Sequence, residues 1–134
     1  MLRQATPKIL ILESQMIIAA DVSLQFSKLG YDVIGINIRP EDALKTIQAN
    51  RPDIVLINID WQAIAGRLRT ARIIRETFHI PVIFLSAHTD QELFKGMIAA
   101  QPYAFIAKPF DQKDLQRGVE TALKRMAAEG LWAA

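Results

Sequence analysis

Pro52-Asp53-Ile54-Val55-Leu56-Ile57-Asn58 decides how the rest of this 134-residue chain is read. Arg51-Pro52 closes whatever helix precedes it, because the residue before a proline is pushed out of helical conformation. Ile54–Ile57 is apolar without alternation, which suits a strand buried on both faces of a parallel sheet covered by helices. The run ends on a neutral amide, Asn58. Working outward, three more runs of this kind appear, each ending on polar residues. Ile9–Leu12 ends at Glu13-Ser14, Val82–Leu85 at Ser86, and Ala104–Ala107 at Lys108-Pro109.

The segments between the runs carry helical spacing. In the first, Ile17, Ala20 and Leu24 form one apolar row and Ile18, Val22 and Leu29 another, with Gly30 as the stop. Tyr31–Ile36 reads as a second strand, weakened by Gly35. Pro40-Glu41-Asp42 opens a helix whose buried face is Ala43, Leu44 and Ile47. After a loop through Gly66, Leu68, Ala71, Ile74 and Phe78 carry another toward His79-Ile80-Pro81. A fourth helix is expected from about Asp90 through Leu93, Met97 and Ile98. Asp111 caps the last, with Leu115, Val119, Ala122, Leu123 and Met126 as its core stripe. The pattern is an α/β domain of five strands and five helices, doubly wound. It occupies 1–134 as one domain, its core at about 8–128 and 129–134 a docked tail or the stub of a linker.

Composition bounds the function loosely. Hydrophobic residues make up 51% of the chain, yet no apolar stretch is long enough to span a bilayer, and no signal-type segment precedes the first strand. The absence of cysteine excludes disulfides and thiolate metal sites and fits a cytoplasmic setting. A net charge of +2, from 16 basic and 14 acidic residues, is not a nucleic-acid footprint. His79 and His88 are separated and read as surface or loop histidines. Arg67, Arg69, Arg72 and Arg75 read as a solvated basic helix face, with contact to an acidic partner as the alternative. No glycine-rich phosphate loop marks a nucleotide site.

In an open parallel sheet, ligands bind beyond the carboxyl ends of the strands, where the strand order reverses. With the flavodoxin-like order 2-1-3-4-5, that point lies between the first and third strands, at Glu13-Ser14 and Asn58. Ser86 and Lys108 would line the same rim.

The segments Lys8–Glu13, Pro52–Asn58, Pro81–Ala87 and Phe105–Phe110, in this order and at these strands, resemble a receiver domain of two-component response regulators, of the chemotaxis-regulator type. The resemblance covers roughly Lys8 to Ala128. The Gln101-Pro102-Tyr103 lead into the fifth strand is similar to that of receivers fused to sensor or output domains. The resemblance implies a site in which two acids after the first strand and an aspartate ending the third bind Mg²⁺. That aspartate takes a phosphoryl group from a histidine kinase, and a hydroxyl and a lysine hold the phosphoryl oxygens. By position, Glu13 matches the first acid, Ser86 the hydroxyl, Lys108 the lysine and Phe105 the aromatic switch residue. Asp60 matches the position offering a backbone carbonyl to the metal, and Lys108-Pro109 the family's cis peptide. An inward Phe105 with Ser86 drawn to the pocket marks the active-like state in that family.

Two positions depart from it: Ser14 replaces the second acid and Asn58 the phosphoacceptor. An amide does not form a stable acyl phosphate, so no catalytic residue is expected at Asn58. With three carboxylates reduced to one, Mg²⁺ binding should be lost or weak, Glu13 and Asp60 being the remaining weak candidates. The expectation is a degenerate pseudo-receiver without cofactor, not an enzyme. It would act as an interaction or dimerisation module through the fourth helix, fifth strand and fifth helix. Its partner would be a histidine kinase, an output domain or a second copy in a homodimer, with no direct contact to nucleic acid or membrane. The rival is a Mg²⁺-dependent receiver that uses Asp60 as acceptor. Ser14 is expected to cap the first helix, a Glu13–Lys108 ion pair bridged by Asn58 to satisfy the pocket, and Trp61 to plug the site or anchor a partner.

Overall fold

A computed structural model describes residues 6–59, 64–87 and 91–133, with nothing said of the side chains of Glu92 and Leu93. Asp60, Trp61, His88 and Asp90 lie outside the described residues. The order is β1 (Lys8–Leu12), α1 (Met16–Lys28), β2 (Asp32–Asn37), α2 (Pro40–Ala49), β3 (Ile54–Ile59), α3 (Ile64–Glu76), β4 (Val82–Ser86), α4 (Gln91–Ala99), β5 (Ala104–Ala107) and α5 (Gln112–Ala128). The strands form one parallel sheet in the order β2-β1-β3-β4-β5. This is the flavodoxin-like arrangement expected from the unbroken apolar runs.

Burial follows from position in the sheet. The central strands β3 and β4 are buried along their whole length, as lipophilic runs between two helical layers must be. One core, with Ile9, Ile11, Leu56, Ile83 and Leu85, packs against Ala19, Val22 and Phe26 of α1 and Leu115, Val119, Ala122 and Met126 of α5. The other, with Leu10, Leu12, Val55, Ile57 and Phe84, packs against Ala43 and Ile47 of α2 and Ala71 and Ile74 of α3. β5 departs from the expectation of a strand buried on both faces. It is a sheet edge, and its residues alternate buried and exposed.

Helix ends and faces bring further corrections. Proline at the start of α2 and a full capping box between Asp111 and Asp114 on α5 set those helices where the residues placed them. Helix α3 starts at Ile64, so Gly66 belongs to the helix rather than to a preceding loop. On α1 the N-cap is Gln15, not Ser14. The Ile17/Ala20/Leu24 row faces solvent, with Ile17 86% exposed, and the buried row is Ala19, Val22 and Phe26. Apolar content on both sides of that helix hid which face the sheet selects. On α4 Met97 is buried but Ile98 is not. In β2, Gly35 sits at a register irregularity, with Ile9 opposite Val33 and Leu10 opposite Gly35. After α5 the chain turns back: Gly130 takes φ +76°, Leu131 N donates to Met126 O at 2.7 Å, and Trp132 packs on the first core. Leu131 and Trp132 thus fold back against the domain.

Gly118 is the tightest point between α5 and the sheet. A Cβ there would lie 2.6 Å from Cγ1 and Cδ1 of Ile106, itself buried in the first core. Gly118→Ala gains up to ~1 kcal/mol of helix propensity but overpacks the core at about 1–3 kcal/mol. A net loss is expected, read as a lower urea midpoint. An unchanged or higher midpoint would show that Ile106 can turn aside.

Candidate functional site

Strand register builds the site. Leu12 of β1 pairs with Ile57 of β3, so the next residue of each strand, Glu13 and Asn58, stand side by side. Side chains alternate along a strand, which puts both on the face of Ile11 and Leu56, toward α1. Both are buried, Glu13 at 2% and Asn58 at 3% exposure. They close the top of a narrow apolar pocket between Ile18, Ala19, Val22 and Leu85. β3 runs on to Ile59, one residue past the amide, and Ile59 pairs with Ser86, the buried last residue of β4. Lys108 follows β5, its N–H donating to Ser86 O at 3.0 Å, and the Lys108–Pro109 peptide is cis. One rim thus gathers Glu13, Asn58, Ser86 and Lys108. Ser14 is exposed, and its N–H donates to Glu13 Oε2 at 3.1 Å.

Burial dominates the electrostatics. It raises the Glu13 pKa above the ordinary carboxylate value. The charge of Lys108, the Asn58 amide, the charge of Arg67 and the Ser14 N–H, in that order, pull it back in part. Glu13 Oε1 and Asn58 Oδ1 are buried without hydrogen-bond partners. The expected Glu13–Lys108 ion pair is not formed: among the described residues the one ion pair within 4.0 Å is Arg125–Glu129, at 3.2 Å. Lys108, half-buried on the far side of β4, acts on Glu13 only through its field.

Arg67 overturns the reading of α3 as a wholly solvated basic face. It is 3% exposed, and its Nη1 donates to Asn58 O at 3.2 Å and to Leu12 O at 3.4 Å. Arg69 and Arg72 do face solvent. The signal for Arg67 lay in its spacing: Arg67, Ala71 and Ile74 fall four and then three residues apart, on the buried row of the helix. Charge outweighed position in the sequence reading. Phe105, on the exposed side of β5, is 42% accessible and lies between Phe84 and Phe94, its ring tilted to both at centroid distances of 6.0 and 5.9 Å.

The donor set is a poor match for a hard divalent cation. Mg²⁺ asks for an octahedron of oxygens, anionic where possible. Glu13 supplies one carboxylate, Asn58 a neutral oxygen, and a guanidinium already occupies the strand-end carbonyls. No cluster of three or more metal-ligating side chains exists among the described residues.

The raised Glu13 pKa carries a sign for stability. A carboxyl that holds its proton more tightly when folded binds more protons in the native state, so stability falls as pH rises from the ordinary carboxylate value through the raised one. Thermal unfolding followed across the acidic range should show this loss in the parent chain. In Glu13→Gln it should be absent. A loss of equal size in both would assign it to other groups.

The family profile of the response regulator receiver domain matches residues 9–120. The phyllosphere-induced regulator PhyR of Methylorubrum extorquens is 30% identical over 117 residues, covering 87% of this chain and 43% of that protein. The transcriptional regulatory protein PdtaR of Mycobacterium tuberculosis is 25% identical over 118 residues, 88% of this chain and 57% of that protein. The chain thus spans about half the length of these relatives. Among solved structures, the signal receiver domain of a modulated diguanylate cyclase from Desulfovibrio desulfuricans superposes with a TM-score of 0.84 at 30% identity, covering 93% of this chain and 99% of that one. The fold, the register at β1 and β3 and these matches agree: the chain belongs to the response regulator receiver domain family.

Proposed function

We propose that this receiver domain works as a phosphorylation-independent interaction module in two-component signalling. The observation that carries the reading is Asn58, a buried amide in the place beside Glu13 where the family resemblance puts the phosphoacceptor. An amide oxygen is a poor nucleophile toward phosphorus and yields no stable acyl phosphate. The shortage of anionic donors argues the same way, since Mg²⁺ would have one carboxylate among the described residues of this crevice. Both features argue against phosphoryl transfer and favour a role carried by the surface.

The surface supports a binding role. Phe94 and Ile98 of α4 and Phe105 of β5 are 49%, 50% and 42% exposed and form an apolar patch on one side of the sheet edge. Exposed aromatic anchors of this kind supply much of the energy of protein interfaces. A histidine kinase, an output domain or a second copy of the chain would dock there. The 42% exposure of Phe105 supports an inactive-like arrangement by the family criterion. PhyR and PdtaR carry regulator names, which fits a signalling role for this domain.

Treatment with a small-molecule phosphodonor, with and without Mg²⁺, followed by intact mass analysis, tests the reading. No phosphoryl adduct is expected in either condition. A Mg²⁺-dependent adduct would overturn it, and loss of that adduct in Asp60→Asn would assign the acceptor to Asp60.

A further inference from the structure

Arg67 is the one fully buried cation among the described residues. A buried cation is costly unless neutralised, and burial of a guanidinium is tolerated where its donors meet acceptors. Here the acceptors are main-chain carbonyls. Nη1 reaches Asn58 O at 3.2 Å and Leu12 O at 3.4 Å, so the guanidinium bridges the ends of β1 and β3 at the point where the strand order reverses. No acid touches it among the described residues. The acid whose field it shares is Glu13, whose side chain stands on the α1 face of the same strand ends. Nε is buried and unpartnered, as are Glu13 Oε1 and Asn58 Oδ1. One cation therefore sits at the ends of β1 and β3 on the α3 side, and two orphaned acceptors stand on the α1 side of the same strand ends.

We propose that Arg67 is the resident cation of this site, a tethered guanidinium that takes the electrostatic place a divalent ion would hold and keeps such an ion out. The inference rests on reading the crevice as a receiver-type site, but not on whether Asn58 or Asp60 can be phosphorylated. A divalent ion at the Glu13 and Asn58 side chains would feel the field of the guanidinium, which already reaches Glu13, and in a partly desolvated setting that repulsion is costly. A guanidinium also differs from a mobile ion in kind. It is always charged, it cannot be chelated away, and it is held by the helix that carries it. The metal independence of the site is then written twice, in the missing carboxylates and in Arg67. Restoring the carboxylates should not be enough.

The test compares Mg²⁺ binding, by calorimetric titration, in the Ser14→Asp, Asn58→Asp double variant and in the same protein with Arg67→Met added. Circular dichroism establishes that each is folded. Arg67→Gln, which keeps an amide donor for the two carbonyls, replaces Arg67→Met if the latter does not fold. The variant lacking the guanidinium should bind Mg²⁺ at least about tenfold more tightly than the double variant. Equal affinity in the two would overturn the proposal, because Arg67 would then exclude nothing. Failure of both to bind would overturn it as well, since something other than Arg67 would be blocking the site. Phosphodonor labelling of the parent chain reads the proposed function separately, so failure of either proposal leaves the other standing.

Discussion

The pairing of β1 with β3 is the constraint on which the site depends. Parallel strands at adjacent positions bring the residues that follow Leu12 and precede Ile59 to the same height and the same face. Glu13 and Asn58 have no freedom to avoid one another, and both are carried below the surface by the helices that cover the sheet. The two core clusters supply that rigidity. Each strand feeds alternate side chains into one layer or the other, so a slip of one residue at β1 or β3 would send every Ile and Leu into the wrong layer and mispack both cores. The hydrophobic pattern of the strands thereby sets the geometry of polar groups that contribute little to folding themselves.

Burying an acid, an amide and a guanidinium at the ends of two neighbouring strands is a state that folding alone would not favour. Each group loses hydration, and three of their polar atoms have no partner. The compensation is distributed. Two carbonyls receive Arg67, the Ser14 N–H meets Glu13, and Lys108 contributes its field from the end of β5. Unlike a metal site, where one ion satisfies every ligand at once, this arrangement balances charge through elements that are all part of the chain. Rim residues from four strands hold the balance in place, which is why the crevice and the sheet stand or fall together.

The edges of the sheet behave differently from its centre. β3 and β4 are sealed, while β5 alternates and leaves Phe105 against Phe94 in partial contact with solvent. On the opposite helical layer, α1 turns Ile17 and Leu24 outward. Apolar surface left over after two cores are filled is concentrated on α1, α4 and β5. Segments of that kind tolerate rearrangement better than the centre does, because fewer packed neighbours must move with them.

Much of this protein was legible before any coordinates. Unbroken runs such as Ile54–Ile57 called for a parallel sheet, Pro40 and Asp111 set helix starts, and the endings of the runs located the rim, because these signals are local and depend on nearest neighbours along the chain. Tertiary structure decided what local pattern left degenerate. Helix α1 has apolar residues on two sides, and only the sheet could choose Ala19, Val22 and Phe26 over Ile17 and Leu24. Ala104–Ala107 resembles a central strand until its place at the edge leaves one face uncovered. Ser14 looked like a cap, but the chain enters the helix one residue later. Arg67 is the sharpest case. Its row on α3 was readable, yet whether a charged residue on that row is buried depends on acceptors from β1 and β3, 55 and 9 residues away in the chain. Periodicity reports which residues share a face; only the packed fold reports what that face meets.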